Sequence, residues 1–261
     1  MALYVVYTAS KESRDRSLIF TRLKELGCKR IHRSFWEIKE GKTNKVLQVL
    51  KNNQPILLRR IRNLVKPSNS DNRVDEIGSL IVITYSLPRQ TRRERIKNFL
   101  KKAPCIRLAR TVYAFTHSHH IFDLKNELVD ANRFEAFINE IHKDVNAVSK
   151  LVIVNTGVND RLIEEVKLRI KRETYHIITS CKELHRRINE GEIKKTKIQK
   201  SLSLKKRRYR TLKKVTNFYK RWLKIDSTTS LMKAYRAIAK VNTQLKRTLS
   251  QVTVESRNLH K

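Results

Sequence analysis

Glycine is scarce in this chain of 261 residues, with five occurrences, and proline is scarcer at four. Loops that cradle nucleotide phosphates need closely spaced glycines, and neither G-x-x-x-x-G-K-[ST] nor G-x-G-x-x-G occurs. A Ser/His/Asp signature is missing as well. Cys28, Cys105 and Cys181 are odd in number, far apart and form no C-x-x-C, which excludes a disulfide framework and a zinc ribbon. They read as buried small hydrophobes. No window approaches the roughly 18 to 20 uncharged apolar residues of a membrane span, and the first residues lack a charged-then-apolar secretion signature. The expectation is a protein with no membrane partner, cytoplasmic or nucleoid-associated.

Acids are the most telling shortage. Against 59 Lys+Arg stand 24 Asp+Glu, a formal charge of +35, while 39% hydrophobic content is enough to build cores. Such an imbalance points to a polyanion partner, nucleic acid first, either RNA or DNA.

What is present is a repetition. "LYVVYTASKESRDR" (3 to 16) returns as "LIVITYSLPRQTRR" (80 to 93), and "RSLIFTRLKELGCKRIHRSFWEI" (16 to 38) faces "RERIKNFLKKAPCIRLARTVYAF" (93 to 115). Cys28 falls on Cys105, Arg30 on Arg107, Arg33 on Arg110 and Ser34 on Thr111. Each copy reads as an apolar strand, a basic amphipathic helix carrying Ile19, Leu23 and Leu26 or Ile96, Phe99 and Leu100, and two short strands. Thr91 and Glu94 have the spacing of a capping box. The first copy continues into "KTNKVLQVLKNN", a second helix, and "PILLRRI", a last strand. The second continues into a helix bearing Phe134, Phe137, Ile138, Ile141, Val145 and Val148, then the strand "KLVIVN" at 150 to 155.

This order predicts an α+β fold of two ferredoxin-like (split βαβ) units in tandem, followed by a basic C-terminal helical hairpin. The expected divisions are unit 1 at 1–64, a polar linker at 65–78, unit 2 at 79–158, a helix with the short strand "YHIIT" at 159–191, and the hairpin at 192–261. The last segment holds 21 Lys+Arg against 3 Asp+Glu. Its apolar residues Tyr209, Leu212, Val215, Tyr219 and Trp222 keep helical spacing, "DSTTS" supplies a turn, and Leu231, Tyr235, Ile238, Leu245 and Leu249 resume it.

An apolar strand ending in Tyr, a Lys/Arg-rich helix and then "CKRIHRSFWEI" together resemble the Cas-two family of small CRISPR-associated adaptation proteins, over residues 3 to about 62 and 80 to about 116. In that family the first strand ends in a Tyr-Asp-like pair, and the Asp of each of two subunits is proposed to hold a metal for phosphodiester hydrolysis. The matching positions here are Thr8 after Tyr7 and Ser86 after Tyr85. A neutral hydroxyl offsets little of a divalent cation's dehydration. The resemblance therefore implies a paired nucleic-acid platform without the nuclease metal.

The resulting expectation is a binding protein rather than an enzyme, with no catalytic residue, metal or cofactor, gripping the phosphate backbone of structured RNA or duplex DNA. Candidate contacts are Arg14, Arg30, Arg33, Arg59, Arg60, Arg92, Arg93, Arg107 and Arg110, with Lys205, Lys206, Arg207, Arg208, Arg210, Lys213 and Lys214 in the C-terminal segment. The segment's aromatics read as an apolar seam against the following helix, with Phe218 open to base stacking as a second possibility. "THSHH" at 116 to 120 reads as a surface turn or a phosphate-facing His rather than a metal cluster, and Glu164, Glu165 and Glu173 as helix ion-pair partners. The alternatives are a metal-dependent nuclease using Asp15, Asp71, Asp75 or Glu76, and a scaffold for a protein partner or ribonucleoprotein assembly through residues 192–261, in a ribosome-associated, chromatin-like or CRISPR-adaptation setting.

Overall fold

The structure is a computed structural model, and it describes all residues except 1, 10–11, 71–72, 87–89, 118–127, 142–143, 191–194 and 259–261. The fold is α+β. Among the described residues, ten strands and seven α-helices follow one another as β1 (Leu3–Val6), α1 (Ser13–Glu25), β2 (Lys29–His32), β3 (Phe35–Ile38), α2 (Thr43–Val49), β4 (Ile56–Arg60), β5 (Ser68–Ser70), β6 (Arg73–Glu76), β7 (Leu80–Tyr85), α3 (Gln90–Leu100), β8 (Ile106–Ala109), β9 (Val112–Thr116), α4 (Ala131–Ile141), β10 (Val145–Ile153), α5 (Val158–Asn189), α6 (Lys195–Leu223) and α7 (Thr228–Asn258). Two compact units result, one made of 1–166 with 218–224, the other of 167–217 with 225–261.

The first unit is built on an antiparallel eight-stranded sheet in the order β2-β3-β1-β4-β10-β7-β9-β8, continuous because β4 pairs with β10. Its two halves repeat in register. Val5 faces Trp36 as Ile83 faces Tyr113, and the tyrosine amide at the end of each first strand donates to the later turn, Tyr7 to the Ser34 carbonyl at 3.1 Å and Tyr85 to the Thr111 carbonyl at 3.2 Å. Tyr7 thus corresponds to Tyr85 and Thr8 to Ser86. Each half has its own core at matching positions: Val5, Tyr7, Ile19, Leu23, Cys28 and Ile38 in one, Ile83, Tyr85, Ile96, Leu100, Cys105 and Phe115 in the other. All three cysteines are buried, and none forms a disulfide. Helix α1 stops where Gly27 takes φ +73, a left-handed conformation that costs glycine nothing; α3 stops ahead of Pro104.

All six residues of β7 are buried, so both faces of the central strand are covered and no period-2 alternation survives to be read. Part of the buried apolar set comes from far along the chain. Phe218, Tyr219, Trp222 and Leu223 on the last turns of α6 are at most 1% exposed. The Tyr219 hydroxyl donates to the Cys105 carbonyl at 2.8 Å and the Trp222 indole N–H to the Ile77 carbonyl at 3.0 Å, satisfying the two polar groups these rings bury.

Several sequence expectations are corrected here. "YHIIT" lies inside the 32-residue helix α5, because the spacing of Ile177, Cys181, Leu184 and Ile188 serves a helical core. Val145 and Val148 belong to β10 rather than to the preceding helix, and β10 bulges at Lys150, whose φ is 58. The 65–78 segment contains the β5–β6 hairpin. Tyr219 and Trp222 serve the core of the first unit instead of a seam with the next helix, and buried Phe218 has no face to offer a base. The capping-box side chain Thr91 and residues 118 to 120 of "THSHH" fall outside the described residues.

The second unit packs α5, α6 and α7 around Ile177, Cys181, Leu184, Leu202, Leu212, Ile238 and Val241. Tyr209 does meet the following helix, its ring centroid 6.1 Å from that of Tyr235.

Candidate functional site

In the first unit the chain leaves β1 at Tyr7 and β7 at Tyr85, and the two exits open on one cavity of about 1090 Å³ lined by Thr8 and Ser86 alike. The β2–β3 and β8–β9 hairpins line it too, with Arg30 and Arg107 from strands β2 and β8 and Arg33 and Arg110 from the turns that follow. Helix α1 adds Arg16, Ser17, Phe20 and Thr21. Five guanidinium groups thus line a cleft whose lining includes a single carboxylate, Glu165 of α5. None of the five forms an ion pair among the described residues. Like charges in a concavity raise the local potential and attract a multiply charged anion.

The immediate partners of these arginines are neutral. The Arg30 guanidinium lies 5.1 Å from the Phe20 ring centroid, in cation–π range, and Phe20 sets its edge against Trp36 with centroids 5.6 Å apart. Arg107 Nε donates to the Ala109 carbonyl at 3.3 Å, and the Arg33 carbonyl accepts from the Tyr7 hydroxyl at 2.9 Å, which fixes the turn that presents Arg33. Burial pushes the Tyr7 phenol up, and Tyr85, stacked on Tyr113 at 6.1 Å, is pushed up further by burial and by that neighbour. Both phenols stay protonated at physiological pH. His32 is driven the other way, below its ordinary value, chiefly by burial and with help from Arg30 and Arg33, while Asp144 and a hydrogen bond to the Tyr85 backbone oppose the shift.

The strand ends carry an asymmetry that the hydroxyls alone do not reveal. The Thr8 amide donates to the Asn53 carbonyl at 2.9 Å, and the Ser86 amide makes the matching bond to the Asp144 carbonyl at 3.3 Å. Asn53 returns its side-chain amide to the Thr8 carbonyl, whereas the Asp144 carboxylate accepts from the Ser86 hydroxyl. One half therefore has a carboxylate beside its strand-end hydroxyl and the other an amide. Among the described residues no group of three or more His, Cys, Asp or Glu could hold a metal ion.

The remaining predicted contacts disperse. Arg14, Arg59 and Arg60 are exposed outside the cleft, and Arg92 donates to the Ile141 carbonyl at 2.7 Å. Arg93, half-buried on α3, and exposed Lys214 on α6 also lie outside it. In the second unit Lys205 Nζ donates to Ser201 at 3.0 Å, Lys206 Nζ to Asn242 at 2.8 Å, and Arg208 pairs with Glu173 at 2.7 Å. Arg207, Arg210 and Lys213 are exposed. Of the carboxylates considered for a nuclease, Asp15 lines an adjoining cavity of about 520 Å³ with Arg22 and Lys51, sharing Thr8, Ala9 and Gln54 with the cleft; Glu76 is exposed, and Asp71 and the Asp75 side chain fall outside the described residues. Arg16, Phe20, His32, Asp144 and Glu165 were not singled out by the sequence as parts of a site. Phe20 leaves a signal nonetheless: it stands off the Ile19, Leu23, Leu26 stripe, an aromatic ring where a basic helix would carry a polar residue. No protein-family model, curated protein or solved structure matches the chain.

Proposed function

We propose that this protein binds nucleic acid through its phosphates, without cleaving it, and that the arginine cleft between the two strand exits is the principal contact. The observation that carries the reading is the convergence of Arg16, Arg30, Arg33, Arg107 and Arg110 on one concave surface with one lining carboxylate. Guanidinium groups suit phosphate oxygens, being planar, permanently charged and able to donate two parallel bonds. The strand order in each half of the sheet, fourth-first-third-second, supports reading them as tandem ferredoxin-like units, and their matching registers support a Cas-two-like pair within one chain. On that reading the positions of the family's metal-binding Asp are Thr8 and Ser86, and a grip without metal chemistry follows. The exposed cations of 192–261, taken as a basic helical hairpin, extend the contact along the backbone or meet a ribonucleoprotein partner.

The test is equilibrium binding of structured RNA and duplex DNA over a range of salt. Counterion release gives a log K that falls linearly with log salt, by about 0.9 per phosphate neutralised on duplex DNA. Salt-independent binding, or none, would overturn the reading. Asp144 beside Ser86 favours one alternative, hydrolysis supported by a single-sided carboxylate. Incubation with Mg²⁺ or Mn²⁺ separates the two: cleavage that disappears in Asp144→Asn would replace binding with catalysis.

A further inference from the structure

Two-fold in its strands and turns, the cleft is one-sided in its helices. Helix α1 lines it with Arg16, Ser17, Phe20 and Thr21, and among the described residues none of α3 lines it. The residue of α3 aligned with Phe20 is Lys97, which reaches along its own helix to Glu94 at 2.6 Å. Phe20 is 37% exposed, off the apolar stripe of its helix, and it lines the same cavity as the five arginines. The ring is held by Trp36 and by the Arg30 guanidinium, so it is presented at little cost in side-chain entropy. A rigid aromatic surface beside phosphate-binding groups is how proteins take up an unstacked base, whose π-face otherwise loses its neighbours.

We infer that the cleft accepts nucleic acid at a place where a nucleotide is unpaired, an overhang, bulge or junction, with that base stacked on Phe20 while Arg30 and Arg33 hold the flanking phosphates. The inference rests on the phosphate-binding reading of the same cleft. A continuous blunt duplex buries its base faces internally and leaves Phe20 unused. Among the described lining residues the side of the cleft nearer α3 offers cations but no ring, so one unpaired nucleotide is accommodated and the partner strand is held by Arg107 and Arg110.

The test uses the full chain with two probes, a blunt duplex and the same duplex carrying a short overhang with 2-aminopurine at its first unpaired position. Stacking on an aromatic ring quenches 2-aminopurine fluorescence. Quenching on binding, with about tenfold tighter affinity for the overhang than for the blunt duplex, is the expected result. Phe20→Trp should keep both effects. Phe20→Leu, which keeps an apolar side chain beside Trp36, should abolish the quench and bring overhang affinity down to that for the blunt duplex, with an unchanged thermal unfolding midpoint reporting an intact fold. Salt-dependent binding of both probes without quenching or preference would overturn the inference and leave the phosphate reading standing. Equal quenching in Phe20→Leu would place the base elsewhere and overturn it too. Failure to bind either probe would remove both.

Discussion

The arginine cleft of the first unit and the basic helix α6 are the two most cationic features of the chain, and they use their charge differently. In α6 the cations are neighbours in sequence, so the helix turns them onto different faces. Lys205, Lys206 and Arg208 hydrogen-bond to Ser201, Asn242 and Glu173 within the second unit, leaving Arg207, Arg210 and Lys213 as exposed members of the group. In the cleft the cations come from two hairpins that are distant in sequence and from α1, and they face a shared volume with no ion pairs among the described residues. Linear charge density is thus a poor guide to where cations converge on one surface, which is what the proposed binding reading requires.

The largest expected effect separates architecture from binding on α6 itself. Trp222→Ala removes a fully buried indole and leaves the Ile77 carbonyl without its donor, and should lower stability by about 4 kcal/mol in denaturant unfolding. Below its melting temperature the variant should bind nucleic acid as the parent does, and a matching loss of affinity would break the comparison. Next in size, replacing Arg30, Arg33, Arg107 and Arg110 together with Gln should weaken binding about a hundredfold, about 2.7 kcal/mol, on unrelated sequences alike.

Smaller effects sharpen the contrast. Arg208→Gln severs a partly exposed pair, so it should cost no more than about 1 kcal/mol of stability by thermal unfolding. Arg207, Arg210 and Lys213 changed together to Gln should reduce affinity by no more than about threefold in the same binding assay, because exposed, dispersed charges act mainly through screened attraction. A pH series probes the cleft wall. The folded His32 imidazole titrates below the 6.5 of an ordinary histidine, so on acidification the unfolded chain takes up the proton first. Stability that is complete above about pH 6.5 should then decline as pH falls toward the lower folded value, and His32→Gln should flatten that part of the profile.

Much of the sheet was legible because the repeat announced it. Cys28 and Cys105, with the arginines two and five residues further on, fixed the alignment of both halves, and the strand registers follow it. Where the reading failed, a local pattern was ambiguous and tertiary context decided. "YHIIT" is rich in β-branched residues, yet a short apolar run fits a helix core as well as a strand. Val145 and Val148 continue the spacing of α4 but sit on β10, past an interruption that hydrophobic period alone does not show. The site was half legible. Arg30, Arg33, Arg107 and Arg110 could be chosen from sequence, but not the fact that β4 pairs with β10 in the sheet that joins the two halves. Asp144 became visible only through the backbone bond that sets it opposite Ser86, since nothing in "HKDVN" marks that aspartate from others.

The most direct test of the cleft's primacy is the slope of log K against log salt on duplex DNA, measured for the parent chain, for the Arg30, Arg33, Arg107 and Arg110 to Gln variant, and for the Arg207, Arg210 and Lys213 to Gln variant. With about 0.9 in slope for each phosphate contact, the cleft variant should lose about three to four units and the helix variant less than one. An unchanged slope in the cleft variant, with the loss appearing in the helix variant instead, would contradict the account and move the site to α6.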